Sequence, residues 1–145
     1  MHIVIDTTKE IIALNSIIRI FNDTDIDVTI HDIKMHYIDA NPKATTACIC
    51  ALSLHHADTP DVLRIEFELF VLEKIHNPTK HDKECRINIL NLALMNLDTH
   101  TVDRDGSRDI YHTISSSLTT TAYTTTAIAE SIIGAFTTNW TQRDS

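Results

Sequence analysis

Between Val62 and Leu72 the chain alternates. Leu63, Ile65, Phe67, Leu69 and Val71 hold one phase, and Arg64, Glu66, Glu68, Phe70 and Leu72 hold the other. A period of two with charge on one phase predicts a strand with one buried and one wet face. The wet phase turns apolar at Phe70 and Leu72, which predicts cover at that end.

Ile26 to Tyr37 alternates too, but its phase slips. Ile26, Val28 and Ile30 share one phase, and Ile33, Met35 and Tyr37 share the other. One extra residue near His31-Asp32 restores a single apolar face, which predicts a β-bulge. Ala47 to His56 is small and apolar, with Cys48, Cys50, Leu52 and Leu54 in phase, and reads as a strand packed on both sides. Cys85 to Leu97 fits two templates. Cys85, Ile87 and Ile89 alternate before Leu90, Leu92 and Leu94 take the other phase, while Ile87, Leu90, Leu94 and Leu97 fit a helix. Its place after a strand and a hairpin-sized loop favours strand. Pro42, Pro60 and Pro78 stand between these segments in turn-like phrases.

Two segments read as helices. Thr7-Thr8-Lys9-Glu10 has capping-box spacing, and Ile11, Leu14, Ile18 and Phe21 follow on one face. In the C-terminal third, Ile110, Tyr111, Ile114, Leu118, Ala122, Ile128, Ala129, Ile132, Ile133 and Phe136 fall within an arc of about 140° on a helical wheel. That clustering predicts one long helix from near Ser107 to near Phe136, although its many threonines favour strand. The reverse side carries Ser116, Thr120, Tyr123, Ala127, Ser131 and Gly134, and Glu130 is the only charge between Ile110 and Thr141. A helix facing water usually carries Lys and Glu there. These six residues are the candidate interface, a seam that lets a second helix or subunit approach closely.

Composition narrows the chemistry. The 145 residues are 43% hydrophobic and 22% charged, a globular balance for a single domain spanning residues 1–145. A chain of this length buries roughly 70% of its unfolded surface and folds without a disulfide or metal. Twenty acidic against twelve basic side chains give a formal charge of -8, which argues against nucleic acid or an anionic membrane as partner. Only Gly106 and Gly134 occur. Phosphate-cradling loops, dinucleotide fingerprints and nucleophile elbows each need glycines close together, so all three are excluded. The first residues carry no early Lys or Arg and no long apolar run, which is unlike a secretory signal and leads to the expectation of a cytoplasmic protein.

Nine histidines and three cysteines invite a search for a site. Neighbours such as His55-His56 on a strand point to opposite faces, and no HExxH occurs. Cys48, Cys50 and Cys85 lack the ligand spacing of structural zinc sites, so they are expected to be buried thiols holding no metal. Asp103-Arg104-Asp105-Gly106 looks like the middle of a calcium loop, but Thr101 and His112 stand at its two ends, so a turn followed by an Asp or Ser107 helix cap is expected instead. Asp23, Asp25 and Asp27 read as an acidic turn. A nucleophile and base pair drawn from Cys85 with His81, or a serine with His112, is not selected by spacing.

The pattern thus predicts an α+β fold: an N-terminal helix, an antiparallel meander of about four strands, and a long C-terminal helix on the sheet. The expected function is that of a non-enzymatic interaction or assembly subunit without cofactor, oligomerising through its C-terminal helix with itself or within a larger assembly. The alternative is a small enzyme or ligand-binding protein whose His/Asp site forms only in the fold.

Overall fold

The computed structural model describes residues 9–36, 44–72, 84–118 and 123–143. Helix α1 (Lys9–Asp23) leads into strands β1 (Ile26–His36), β2 (Ala44–His56), β3 (Asp61–Leu72) and β4 (Glu84–Asn96). A short β5 (Thr101–Asp103) precedes helix α2 (Arg104–Ser117), and a two-residue β6 (Tyr123–Thr124) precedes helix α3 (Thr125–Arg143). The strands form one antiparallel sheet in the order β1-β2-β3-β4-β5, with β6 beside β4. This is the expected α+β meander, lengthened by two short strands.

One face of the sheet carries the core. Cys48, Cys50, Leu52 and Leu54 of β2 and Leu63, Ile65, Phe67, Leu69 and Val71 of β3 are buried in one cluster with residues of all three helices. Ile26 and Leu94 join them from the flanking strands. Two irregularities keep the apolar phase on this face. The β1–β2 register shifts between Ile30 and Asp32, so His31 is the extra residue and Ile33 returns to the core side. The β3–β4 register shifts between Glu66 and Phe67, which leaves Leu90 without a cross-strand partner and 45% exposed. That bulge explains the ambiguous leucines of β4: Ile87 and Ile89 precede it, and Leu92 and Leu94 follow it on the same side.

The helices depart from the sequence pattern in the C-terminal third. The proposed Thr7 cap lies outside the described residues; within α1, Leu14, Ile17 and Phe21 are buried and Ile18 is half-buried. The single helix from Ser107 to Phe136 is two helices. Ile110 and Ile114 belong to α2, and Ile128, Ile132 and Phe136 to α3. Both helices turn an apolar face to the sheet side, so their buried residues share one arc of the wheel although Leu118 and Tyr123–Thr124 between them are not helical. The break falls in the threonine-rich tract, whose β-branched side chains disfavour helix, and Tyr123–Thr124 pairs with Glu84–Cys85 instead. Tyr111, inside the apolar arc, is 43% exposed.

The start of α2 also differs. Its cap is Asp103, whose carboxylate accepts from the Gly106 N–H at 2.9 Å. Ser107 instead ties the helix to the sheet, donating to the Asp103 carbonyl and accepting from the Leu94 N–H at 2.8 Å. This close seat requires a glycine. A Cβ on Gly106 would stand 2.7 Å from the Leu94 side chain and 2.8 Å from the capping carboxylate. Leu94 is fully buried and cannot swing away. Helix propensity favours Gly106→Ala by up to about 1 kcal/mol, whereas crowding and a disturbed cap cost more. Chemical denaturation should show Gly106→Ala destabilised by a net ~1–3 kcal/mol.

Candidate functional site

Strand periodicity sends every second side chain of the sheet away from the helices. In β2 and β3 these are Ala47, Ile49, Ala51, Ser53 and His55, and Val62, Arg64, Glu66, Glu68 and Phe70. In β4 they include Arg86, Asn91, Ala93 and Met95. Among the described residues no helix lies over this face; each described helix packs on the other side or on another helix. The two-sided packing expected for β2 holds at Ala47, which is outward yet fully buried, and gives way along the strand to the half-buried Ile49, Ala51, Ser53 and His55. Ala51 and Ser53 are small, but the space above them is an open hollow of about 330 Å³, lined by His31, Ala51, Arg64, Glu66, Asn91, Ala93, Met95 and Val102 among others.

The face is mixed in character. Ile49, Val62, Phe70 and Met95 are half-buried even though no described element covers them. The cover expected at Phe70 is Arg86, whose guanidinium stands 4.5 Å above the ring, a cation–π contact. His31, pushed out by the bulge, hydrogen-bonds through Nε2 to Ser53 Oγ. Lys34 stands 3.8 Å from Asp32 at the exposed edge. Arg64 and the half-buried Glu66 sit two residues apart on the central strand, and neither makes a hydrogen bond or ion pair with the described residues.

The His31–Ser53 pair is the nearest approach to a catalytic arrangement. No carboxylate among the described residues orients the ring, and the hydroxyl lies on a flat strand rather than at a helix N-terminus or tight turn. Triad-like chemistry needs both an oriented base and convergent donors for the oxyanion. The hollow is only partly enclosed, whereas small-molecule sites enclose most of their ligand. The geometry suits contact with another macromolecular surface.

The six seam residues are not brought into one row. Ser116 is exposed on α2, and Thr120 lies outside the described residues. Tyr123 is half-buried in β6, paired with Cys85. Ala127, Ser131 and Gly134 share α3, where Gly134 is exposed and a Cβ there would meet nothing within 4 Å. Ser131 turns toward α2, its hydroxyl 2.6 Å from that of Ser117. Part of the seam is thus an internal α2–α3 contact.

The other candidates resolve into local structure. His55 Nε2 bonds the Thr59 carbonyl at 3.0 Å, and His56 Nδ1 accepts the Asp58 N–H at 3.2 Å, so both rings brace the β2–β3 hairpin. His112 meets Tyr111 edge-on. His76 and His81 lie outside the described residues. Asp25 takes φ 61° in the turn before β1, a conformation that Asp tolerates better than most residues. Among the described residues no three His, Cys, Asp or Glu are grouped to hold a metal. Sequence reasoning missed the open face as a unit. Its one legible signal was the paired run of Arg64, Glu66 and Glu68, which reads as an ordinary wet face until the small Ala51, Ser53 and Ala93 appear beside it.

Comparison of the chain with protein-family models, with curated proteins and with solved structures finds no match.

Cys48, Cys50 and Cys85 are buried thiols. Burial pushes the Cys50 thiol well above its ordinary range, with smaller contributions from Cys48 and Glu66. It therefore stays neutral in the folded protein while the unfolded thiol ionises from its usual pKa of 9.0 upward. The folded state binds more protons there, so stability falls as pH rises above that value, by about 1.4 kcal/mol per pH unit for this one thiol. Thiol-reagent labelling at pH 8 should leave Cys50 unmodified in the native protein and modify it only after denaturation.

Proposed function

We propose that the protein is a non-enzymatic interaction or assembly subunit that works by presenting the open face of its sheet to a protein surface. The observation that carries this reading is the one-sided helical layer. Among the described residues it leaves half-buried apolar side chains, and two opposite charges with no described ion-pair partner, on one face. The -8 charge of the chain disfavours nucleic acid as the occupant. No helix among the described residues is long and apolar enough to cross a membrane.

The α3 stripe is the weaker surface. Ser131 is engaged with Ser117, and the exposed Glu130 stands within the stripe. Light scattering of the purified protein at micromolar concentration should show a dimer or larger species. Gly134→Leu separates the two surfaces. A side chain there enters open space, and the helix gains propensity. The variant should be stabilised by somewhat under ~1 kcal/mol with its assembly unchanged. A lower mass for Gly134→Leu would move the interface to α3, and a monomeric parent at all concentrations would remove the assembly reading.

A further inference from the structure

Resting on that reading, we propose that the occupant of the open face is a second copy of this chain, related by a two-fold axis that crosses β3 between Arg64 and Glu66. The argument is charge complementarity under that half turn. Two sheets packed face to face can share an axis lying in their common plane and running across the strands. Such an axis sets each strand antiparallel to its own copy. Ladder rows at equal distances on either side of it then exchange places.

The register defines those rows. Thr29, Ser53 and Arg64 form one row, with Ala93 next to Arg64. Asp32, Ala51, Glu66 and Asn91 form the next. An axis midway between the two rows sets Arg64 of each copy opposite Glu66 of the other. It also sets the small Ser53 over the small Ala51, which allows the backbones to approach. One row further out on either side, Asp27 pairs with His55 and Lys34 with Ile49. The same half turn therefore sets Asp27 opposite Lys34. Both charge pairs are of opposite sign, and symmetry makes each of them twice.

An axis running along β3 instead would stack Arg64 on Arg64 and Glu66 on Glu66, and one between β3 and a neighbouring strand would set Arg64 over the uncharged Ser53 or Ala93. The isologous arrangement that pairs these charges with opposite ones is the axis across the strands. Neither Arg64 nor Glu66 makes a hydrogen bond or ion pair with the described residues, and a charge removed from water at an interface needs a partner there. A free zwitterionic molecule would match the same two charges, but the partly enclosed hollow would cover less of it than a small-molecule site does.

The test is charge reversal, read by sedimentation velocity across a dilution series. The parent should dimerise. Arg64→Glu and Glu66→Arg should each weaken self-association at least about tenfold, because each sets like charges opposite one another. Mixing the two single variants in equal amounts should restore a 1:1 dimer, and the double variant R64E/E66R should again self-associate. Recombination itself shows that the variants are folded. If either single variant fails to fold, the exposed pair Lys34→Asp and Asp27→Lys supplies the same comparison. A parent dimer indifferent to these reversals would overturn the proposal and leave the assembly reading standing on another surface. Weakened single variants that do not recombine would also overturn it. A parent that stays monomeric would overturn both, and saturable binding of free amino acids by that monomer would assign the hollow to a zwitterion.

Discussion

The constraint on which the structure rests is that four twisted strands keep one phase of their side chains turned toward the helices along their whole length. A slip of one residue would send Leu63, Ile65, Phe67 and Leu69 to the solvent side together. Each such side chain contributes about 1.5–3 kcal/mol when fully buried. The regular alternation of β3 anchors this arrangement. β1 and β4 do not alternate perfectly, and each carries one bulge where its phase would otherwise be lost. The bulges have different outcomes. On β1 the surplus residue is His31, which is polar and finds Ser53. On β4 the surplus residue is Leu90, which is left exposed.

The sheet was legible because period-two patterns report burial directly. The slip at His31-Asp32 could be read as a bulge from Ile26 to Met35 alone. The β4 bulge was harder, since Ile87, Leu90, Leu94 and Leu97 mimic a helical stripe. The C-terminal third misled for a related reason. A wheel tests only whether apolar residues share a direction, and α2 and α3 face the same layer. Continuity of direction is not continuity of helix. The threonine tract carried the contrary information, through β-branched side chains that favour the extended conformation β6 takes. The site was the least legible part. Ala51, Ser53, Ala93 and Met95 are ordinary residues in three separate patterns. Only cross-strand register brings them beside Arg64 and Glu66.

The helical layer is organised around α3, which packs against both α1 and α2. This accounts for its composition. A helix with a neighbour on each side and a sheet beneath has little surface left for water, so small and apolar residues occupy most of its positions. Ala129, Ala135 and Gly134 reflect that crowding and the narrow outward strip that remains. α2 has only one helical neighbour and is correspondingly polar, with exposed Arg104, Asp105, Arg108 and Asp109 near its start.

The partnership of α1 with α3 joins opposite ends of the described chain. The strands between them form hairpins, whose contacts close over short loops. The α1–α3 contact spans the longest separation and carries the largest loop-closure cost. During synthesis α1 emerges before the sheet and before α3, and its buried Leu14, Ile17 and Phe21 gain sheet cover from β1 to β3 but no α3 cover until α3 leaves the ribosome. Until then the nascent chain carries a partly covered apolar helix beside a growing sheet, the state in which aggregation and chaperone capture compete with folding. A ribosome stalled within the threonine tract would hold the protein in that state, with its hairpins formed and its helical layer still open.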